Sequence, residues 1–150
     1  MTQTQGGVNA TIEKFGFPHT RIAETQHWMV LLRPKQATLG ALVLAAKHGA
    51  EAFGDLPPAA FADLQEATGK IETALSAAFG YQKLNYLMLV MVDPHVHFHV
   101  LPRYDSDAHF EGRVFEDPGW PGPPDLKTAP DLDEAALEAI RLQIASRWPG

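Results

Sequence analysis

His95, His97 and His99 alternate with Val96, Phe98 and Val100. A β-strand sends every second side chain to the same face, so this spacing predicts three imidazoles in a row on one surface and three apolar anchors on the other. Imidazole changes charge near neutral pH, and its two nitrogens can divide their tasks. A carbonyl that holds one nitrogen as N–H leaves the other with a free lone pair. Displacement at phosphorus needs a positioned nucleophile, donors to the equatorial oxygens and an acid near the leaving group. A row of imidazoles matches those needs. His97 has a ring on each side and is the natural nucleophile, and a phosphohistidine that forms and is then hydrolysed divides one hard step into two easier ones.

Two other readings of the same residues stand beside this one. The row could be a solvated polar face that happens to use histidine, although three rings in register have no evident packing purpose. It could also hold a metal. Strand rise separates the Cα atoms of His95 and His99 by ~13 Å, whereas Zn–N bonds are about 2.0–2.1 Å long, so three ligands on one ion would strain the geometry. A two-histidine site needs another ligand, for which Asp93, Asp105 and His109 are available and none is singled out by spacing. No metal and no cofactor is therefore assigned. His19, His27, His48 and His109 are isolated in the sequence and read as surface or loop residues.

The elements that must position the row can be read from periodicity and punctuation. A short helix is expected at 9–15, stopped by Gly16 and Pro18. Strands are expected at 20–24, 27–32 and 41–45, the last after the loop Arg33-Pro34-Lys35-Gln36, and together they suggest an antiparallel meander. The clearest helix is 57–79, where Phe61, Leu64, Thr68, Ile71, Leu75 and Ala78 recur at spacings of three and four. Asp55 could cap its start and Gly80 could end it in a left-handed conformation. The runs 83–92 and 95–104 are rich in β-formers and separated only by Asp93-Pro94, which predicts a tight hairpin and places the histidines on its second strand. Residues 105–130 carry so much Asp, Gly and Pro that an extended loop is expected, followed by a helix at 133–148 with Asp131 and Glu134 spaced like a capping box.

A chain of 150 residues with 45% hydrophobic content suits a single domain with a sizeable core, with residues 1–8 as a loose tail and 105–150 as a C-terminal extension. The net charge of −6, without a basic face, argues against a nucleic-acid polymer as partner and leaves room for a small anionic ligand at a locally positive site. The absence of cysteine excludes disulfides and fits a reducing compartment, so a soluble cytoplasmic protein is expected. Neither a leader-like start nor a membrane-length apolar run is present in this sequence, and no membrane association is expected.

The run His95-Val96-His97-Phe98-His99-Val100-Leu101, followed by Pro102-Arg103-Tyr104, resembles the signature of the histidine triad (HIT) family. The resemblance covers roughly residues 20–104. It implies an α+β, HIT-like fold, with an antiparallel sheet of about five strands, a long helix and here a C-terminal helix. It also implies that His97 becomes nucleotidylated, that the backbone carbonyl of His95 orients it, and that His99 contacts phosphate or the leaving group. Family substrates are nucleoside phosphoramidates and dinucleoside polyphosphates, commonly containing AMP. Family members are usually homodimers with a sheet continuous across the interface.

This chain departs from the family pattern at three places. Ala41 stands where a further histidine is common, Arg33 where an Asp or Asn contacts ribose, and the segment from Leu87 to Pro94 is short and apolar where many members carry a Gly-rich polar loop. Arg33, whose guanidinium suits phosphate oxygens, and Asn85, just upstream, are the candidate substrate-binding residues. A plain surface arginine and a structural asparagine are the alternatives. The departures touch substrate contacts more than the reacting centre, so a hydrolase or transferase is expected. A nucleotide-binding or regulatory protein with little turnover is the alternative, and a metalloenzyme using two of the histidines is a third.

Overall fold

The computed structural model describes residues 7–150. Five strands, β1 (Arg21–Glu24), β2 (Trp28–Leu32), β3 (Leu42–Ala46), β4 (Lys83–Leu87) and β5 (His97–Arg103), form one antiparallel sheet in the order β1-β2-β3-β5-β4. β2 and β3 are buried along their whole length because both faces of the sheet are covered. On one face Trp28, Val30, Leu32, Leu42, Leu44 and Val100 join the main core. On the other, Met29, Leu31, Val43 and Ala45 pack with Ile12 from the N-terminal helix α1 (Ala10–Lys14). Continuous apolar runs in the sequence are what two covered faces require. Of the expected loose tail 1–8, residues 1–6 lie outside the described residues, and Val8 packs against the cluster around Ile12.

The long helix α2 (Pro58–Phe79) ends as expected, with Gly80 in the left-handed region at φ 62°. Its start differs. Asp55 closes a short 3-10 turn (Phe53–Asp55), and Pro57 takes the cap position without a side-chain hydrogen bond. Ile71 and Leu75 of the expected face are buried and Leu64 and Ala78 pack against the core, but the buried stripe also takes in three alanines and leaves out Phe61. Ala60, Ala67, Ile71, Ala74 and Leu75 are buried, whereas Phe61 is 38% exposed. Small side chains let the helix backbone come close to the sheet, close enough for the indole of Trp28 to donate to the carbonyl of Ala60 at 2.8 Å. The last helix, α3 (Glu134–Ala145), is capped by Asp133, which accepts from the amide of Ala136, and not by Asp131. It brings Ile140 and Ile144 onto the main core.

The expected tight hairpin at Asp93-Pro94 is replaced by a nine-residue connection, residues 88–96. β4 pairs with β5 only as far as Leu87 opposite His99, after which the two chains part while β5 stays on β3. Val90 adopts φ 42°, and Met91 and Val92 are 78% and 84% exposed. Among the described residues these β-formers have no strand to pair with, and Met91 and Val92 remain exposed. The expected structureless stretch after Tyr104 contains instead a hairpin of β6 (Ala108–Phe110) and β7 (Arg113–Phe115) around Glu111-Gly112, both with positive φ.

The extension is tied to the sheet by a buried ion pair. Arg103 donates to both carboxylate oxygens of Asp117, at 2.7 and 3.1 Å, and both side chains are almost fully buried. The same guanidinium donates to the carbonyl oxygens of Asn85 and Gly122. The hydroxyl of Tyr104 donates to the carbonyl of Leu39, which fixes the turn before Gly40.

Candidate active site

Register places the histidines. His97 lies opposite Ala45 and His99 opposite Val43, so both rings share the sheet face that packs against α1. Val96 and Val100, one position away, are buried in the main core on the other face. His95 is outside the ladder, just before β5, in a position where the carbonyl of Val96 is already taken by the amide of Ala46. The row on a single strand is thus two rings on β5 and one on the approach to it.

The His97 ring is fixed by its own chain. Its Nδ1 lies 2.7 Å from the carbonyl oxygen of His95, and because a carbonyl can only accept, Nδ1 carries the proton. The lone pair is left on Nε2. The His97 and His99 rings meet edge to face, with centroids 5.1 Å apart. Arg33, on the loop after β2, donates from Nε to Nδ1 of His99 at 3.3 Å and from a terminal nitrogen to the carbonyl of Lys35. Burial, the adjacent Arg33 cation and His97 bring the His99 pKa down to about 4, with Asp93 acting weakly in the opposite direction. His99 is therefore uncharged at neutral pH. Burial also draws the Arg33 guanidinium below its usual range.

α1 covers this face. The Asn9 side chain caps the helix through the amide of Ile12 and donates to the carbonyls of Ala46 and His48, which anchors the helix to the end of β3. Two residues later the Thr11 hydroxyl lies 2.9 Å from Nδ1 of His95, and Lys14 pairs with Asp93 at 2.6 Å. The Phe15 ring sits against both imidazoles, 5.6 Å from His97 and 5.9 Å from His99 between centroids. As a result His97 is 2% and His99 7% exposed, while His95 is half-buried at the rim.

Of the residues selected from sequence, the structure brings His95, His97, His99 and Arg33 together. Asn85 pairs with Leu101 on the same sheet face, one step further along β5, where its side-chain carbonyl accepts from Arg103 at 2.7 Å. Thr11, Lys14 and Phe15 were not selected. They sit some eighty positions from the triad in and at the end of a short helix whose sequence carries no chemical motif. His27 and His48, read as isolated, in fact stack with centroids 5.2 Å apart and nitrogens 3.0 Å apart. Among the described residues no group of three or more His, Asp or Glu side chains is arranged to hold a metal ion.

The HIT domain profile matches residues 16–106, more than half of the chain. The chain belongs to the histidine triad family. Solved structures agree on the fold. A histidine triad protein from Sinorhizobium meliloti 1021 superposes with a TM-score of 0.73 at 21% identity, covering 93% of this chain and 95% of that one. One from Bradyrhizobium japonicum gives 0.69 at 17% identity over 94% and 96%. A hypothetical histidine triad nucleotide-binding protein from Sulfolobus tokodaii strain7 gives 0.69 at 16% identity over 85% and 82%. The fold is α+β and HIT-like, and the coverage of the first two histidine triad proteins extends beyond the profile into the C-terminal region.

Proposed function

We propose that this histidine triad protein is a nucleotide hydrolase or transferase that cleaves a nucleoside phosphoramidate or a dinucleoside polyphosphate through a nucleotidyl adduct on His97. The observation that carries the reading is the contact of the His97 Nδ1–H with the His95 carbonyl, which leaves Nε2 as a free lone pair. In the first step Nε2 bonds to phosphorus as the P–O or P–N bond to the leaving group breaks, and the leaving group departs with the bonding pair. In the second, water or another acceptor attacks the phosphohistidine, the P–N bond to His97 breaks, and the imidazole returns to its neutral state. His99 contacts phosphate or the leaving group, and Arg33 supplies positive charge beside it. Asn85 belongs to the proposed substrate side through its amide group, with its carbonyl held by Arg103.

The test uses an adenosine phosphoramidate and a dinucleoside polyphosphate as substrates for the protein and for His97→Ala. Turnover by the native chain that falls on the order of 10⁴-fold or more in the variant supports the mechanism; equal turnover removes it. A second reading, a nucleotide-binding or regulatory protein with little turnover, is favoured by the Phe15 ring that leaves His97 almost without exposed surface. Calorimetry with AMP separates the two: tight binding without product from either substrate favours the second.

The proposed protein works as one domain over the whole chain and acts in the cytoplasm, a compartment that the lack of cysteine suits. No helix among the described residues is long and apolar enough to cross a membrane. The proposed assembly is a homodimer, for which the free edge of β4 and the exposed side chains of Leu89, Met91 and Val92 offer a surface. Sedimentation at micromolar concentration should give twice the mass of the 150-residue chain.

A further inference from the structure

We propose that Arg33 is a positioning residue that fixes His99 as an imidazole with its proton on Nε2, so that this nitrogen is presented as a hydrogen-bond donor. The inference rests on the phosphoryl-transfer reading for its use but not for its geometry. An arginine Nε–H can only donate, so the His99 Nδ1 that receives it at 3.3 Å holds a lone pair and no proton. An imidazole with one bare nitrogen cannot be an imidazolium, and its single proton must be on Nε2. The two neighbouring histidines are therefore locked as opposite tautomers. His97 has its proton on Nδ1 and its lone pair on Nε2, as its contact with the His95 carbonyl requires. His99 has the reverse, so an acceptor and a donor lie side by side on one sheet face. That is the pairing a nucleophile and an adjacent oxyanion contact need.

The lock is well supported on both sides. Arg33 is itself held by donating to the Lys35 carbonyl, and its own carbonyl accepts from Gln36, whose amide also donates to the carbonyl of Ala41. The charged and titratable groups around the His99 ring are Arg33, His97 and Asp93, and Asp93 is already paired with Lys14. None of these three offers Nδ1 a closer acceptor that would reverse the tautomer. Phe15 closes the remaining side with an apolar ring. A residue in the Arg33 position that accepted hydrogen bonds would draw the His99 proton to Nδ1 and turn the ring from donor to acceptor.

Long-range ¹H–¹⁵N spectra of protein labelled in its histidines read the tautomer directly, from pH 5 to 8, with His99→Gln used for assignment. In the native chain His99 should show a bare Nδ1 and a protonated Nε2 across the range. Arg33→Met keeps the apolar stem and removes the donor. In that variant His99 should titrate at least one unit higher, a tenfold change in its protonation equilibrium. The acid limb of kcat/KM should move with it, and Arg33→Lys should restore most of both. A native His99 with its proton on Nδ1 overturns the inference. So does an Arg33→Met chain whose His99 keeps the native tautomer and titration. Should Arg33→Met fail to fold, the native spectrum decides alone. Because the spectra need no substrate, absence of turnover would count against the proposed reaction and leave this inference to the tautomer.

Discussion

The hydrogen bond from His97 to the carbonyl two residues before it is a local contact, made possible because His95 lies off the strand and turns its carbonyl back toward the ring. The pattern of the triad was legible in the sequence, since alternation alone put His97 and His99 on one face. The different position of His95 was not, because strand period has nothing to say about where a ladder stops. Nor was the environment of His99, which depends on Arg33 from a distant loop. That environment has a consequence for stability. The His99 pKa is lowered in the folded chain to about 4, below the roughly 6.5 of an unfolded histidine, so on acidification the unfolded chain binds a proton first. Its contribution is present above pH ~6.5 and is lost as pH falls toward 4. Thermal midpoints should drop over this window, and His99→Gln should flatten the drop; an equal slope in the variant would show that His99 is not its source.

At the scale of elements, α1 and the turn before β3 set the access and the floor of the site. The helix was legible as a short helix, but its place over the triad was not, since Asn9, Thr11, Lys14 and Phe15 reach partners far along the chain. Phe15→Ala should cost about 1–2 kcal/mol, less than a fully buried phenylalanine, and should speed acylation of His97 by diethyl pyrocarbonate several-fold. An unchanged acylation rate would mean that the ring does not shield His97. Gly40 is needed for two reasons: its φ is 87°, and a Cβ there would lie 2.9 Å from the Phe79 ring. Gly40→Ala should therefore destabilise by about 2 kcal/mol or more, measured by denaturant titration. The connection 88–96 shows where local reading fails. Leu89, Val90, Met91 and Val92 have strand propensity, but a strand also needs a neighbour, and β5 turns to β3 instead.

Across the whole molecule, the extension is part of the structure that holds the site. β5 ends at Arg103, and the buried charge of that residue is balanced by Asp117, beyond the 16–106 span of the HIT profile. Breaking a buried pair by removing one partner leaves the other charge uncompensated, so Asp117→Ala should cost on the order of 3 kcal/mol in chemical denaturation. A loss below about 0.5 kcal/mol, typical of exposed surface substitutions, would contradict this role. Five strands and the two longer helices were legible from apolar periodicity and end signals. The hairpin of β6 and β7 was not, because three-residue strands among Asp and Gly carry too few residues to show alternation. The pairing of Arg103 with Asp117 was also invisible, since a charge pair in the core leaves no periodic trace.

The chemistry assigned to His97 is tested most directly by trapping its adduct. The protein is mixed with excess adenosine phosphoramidate, quenched in base within milliseconds to seconds, digested and examined by mass spectrometry. The account predicts an added adenylyl group on the peptide that contains His97, appearing before free AMP accumulates and absent from His97→Gly. AMP release at a steady rate with no modified peptide at any time, or an adduct that persists in His97→Gly, would contradict it.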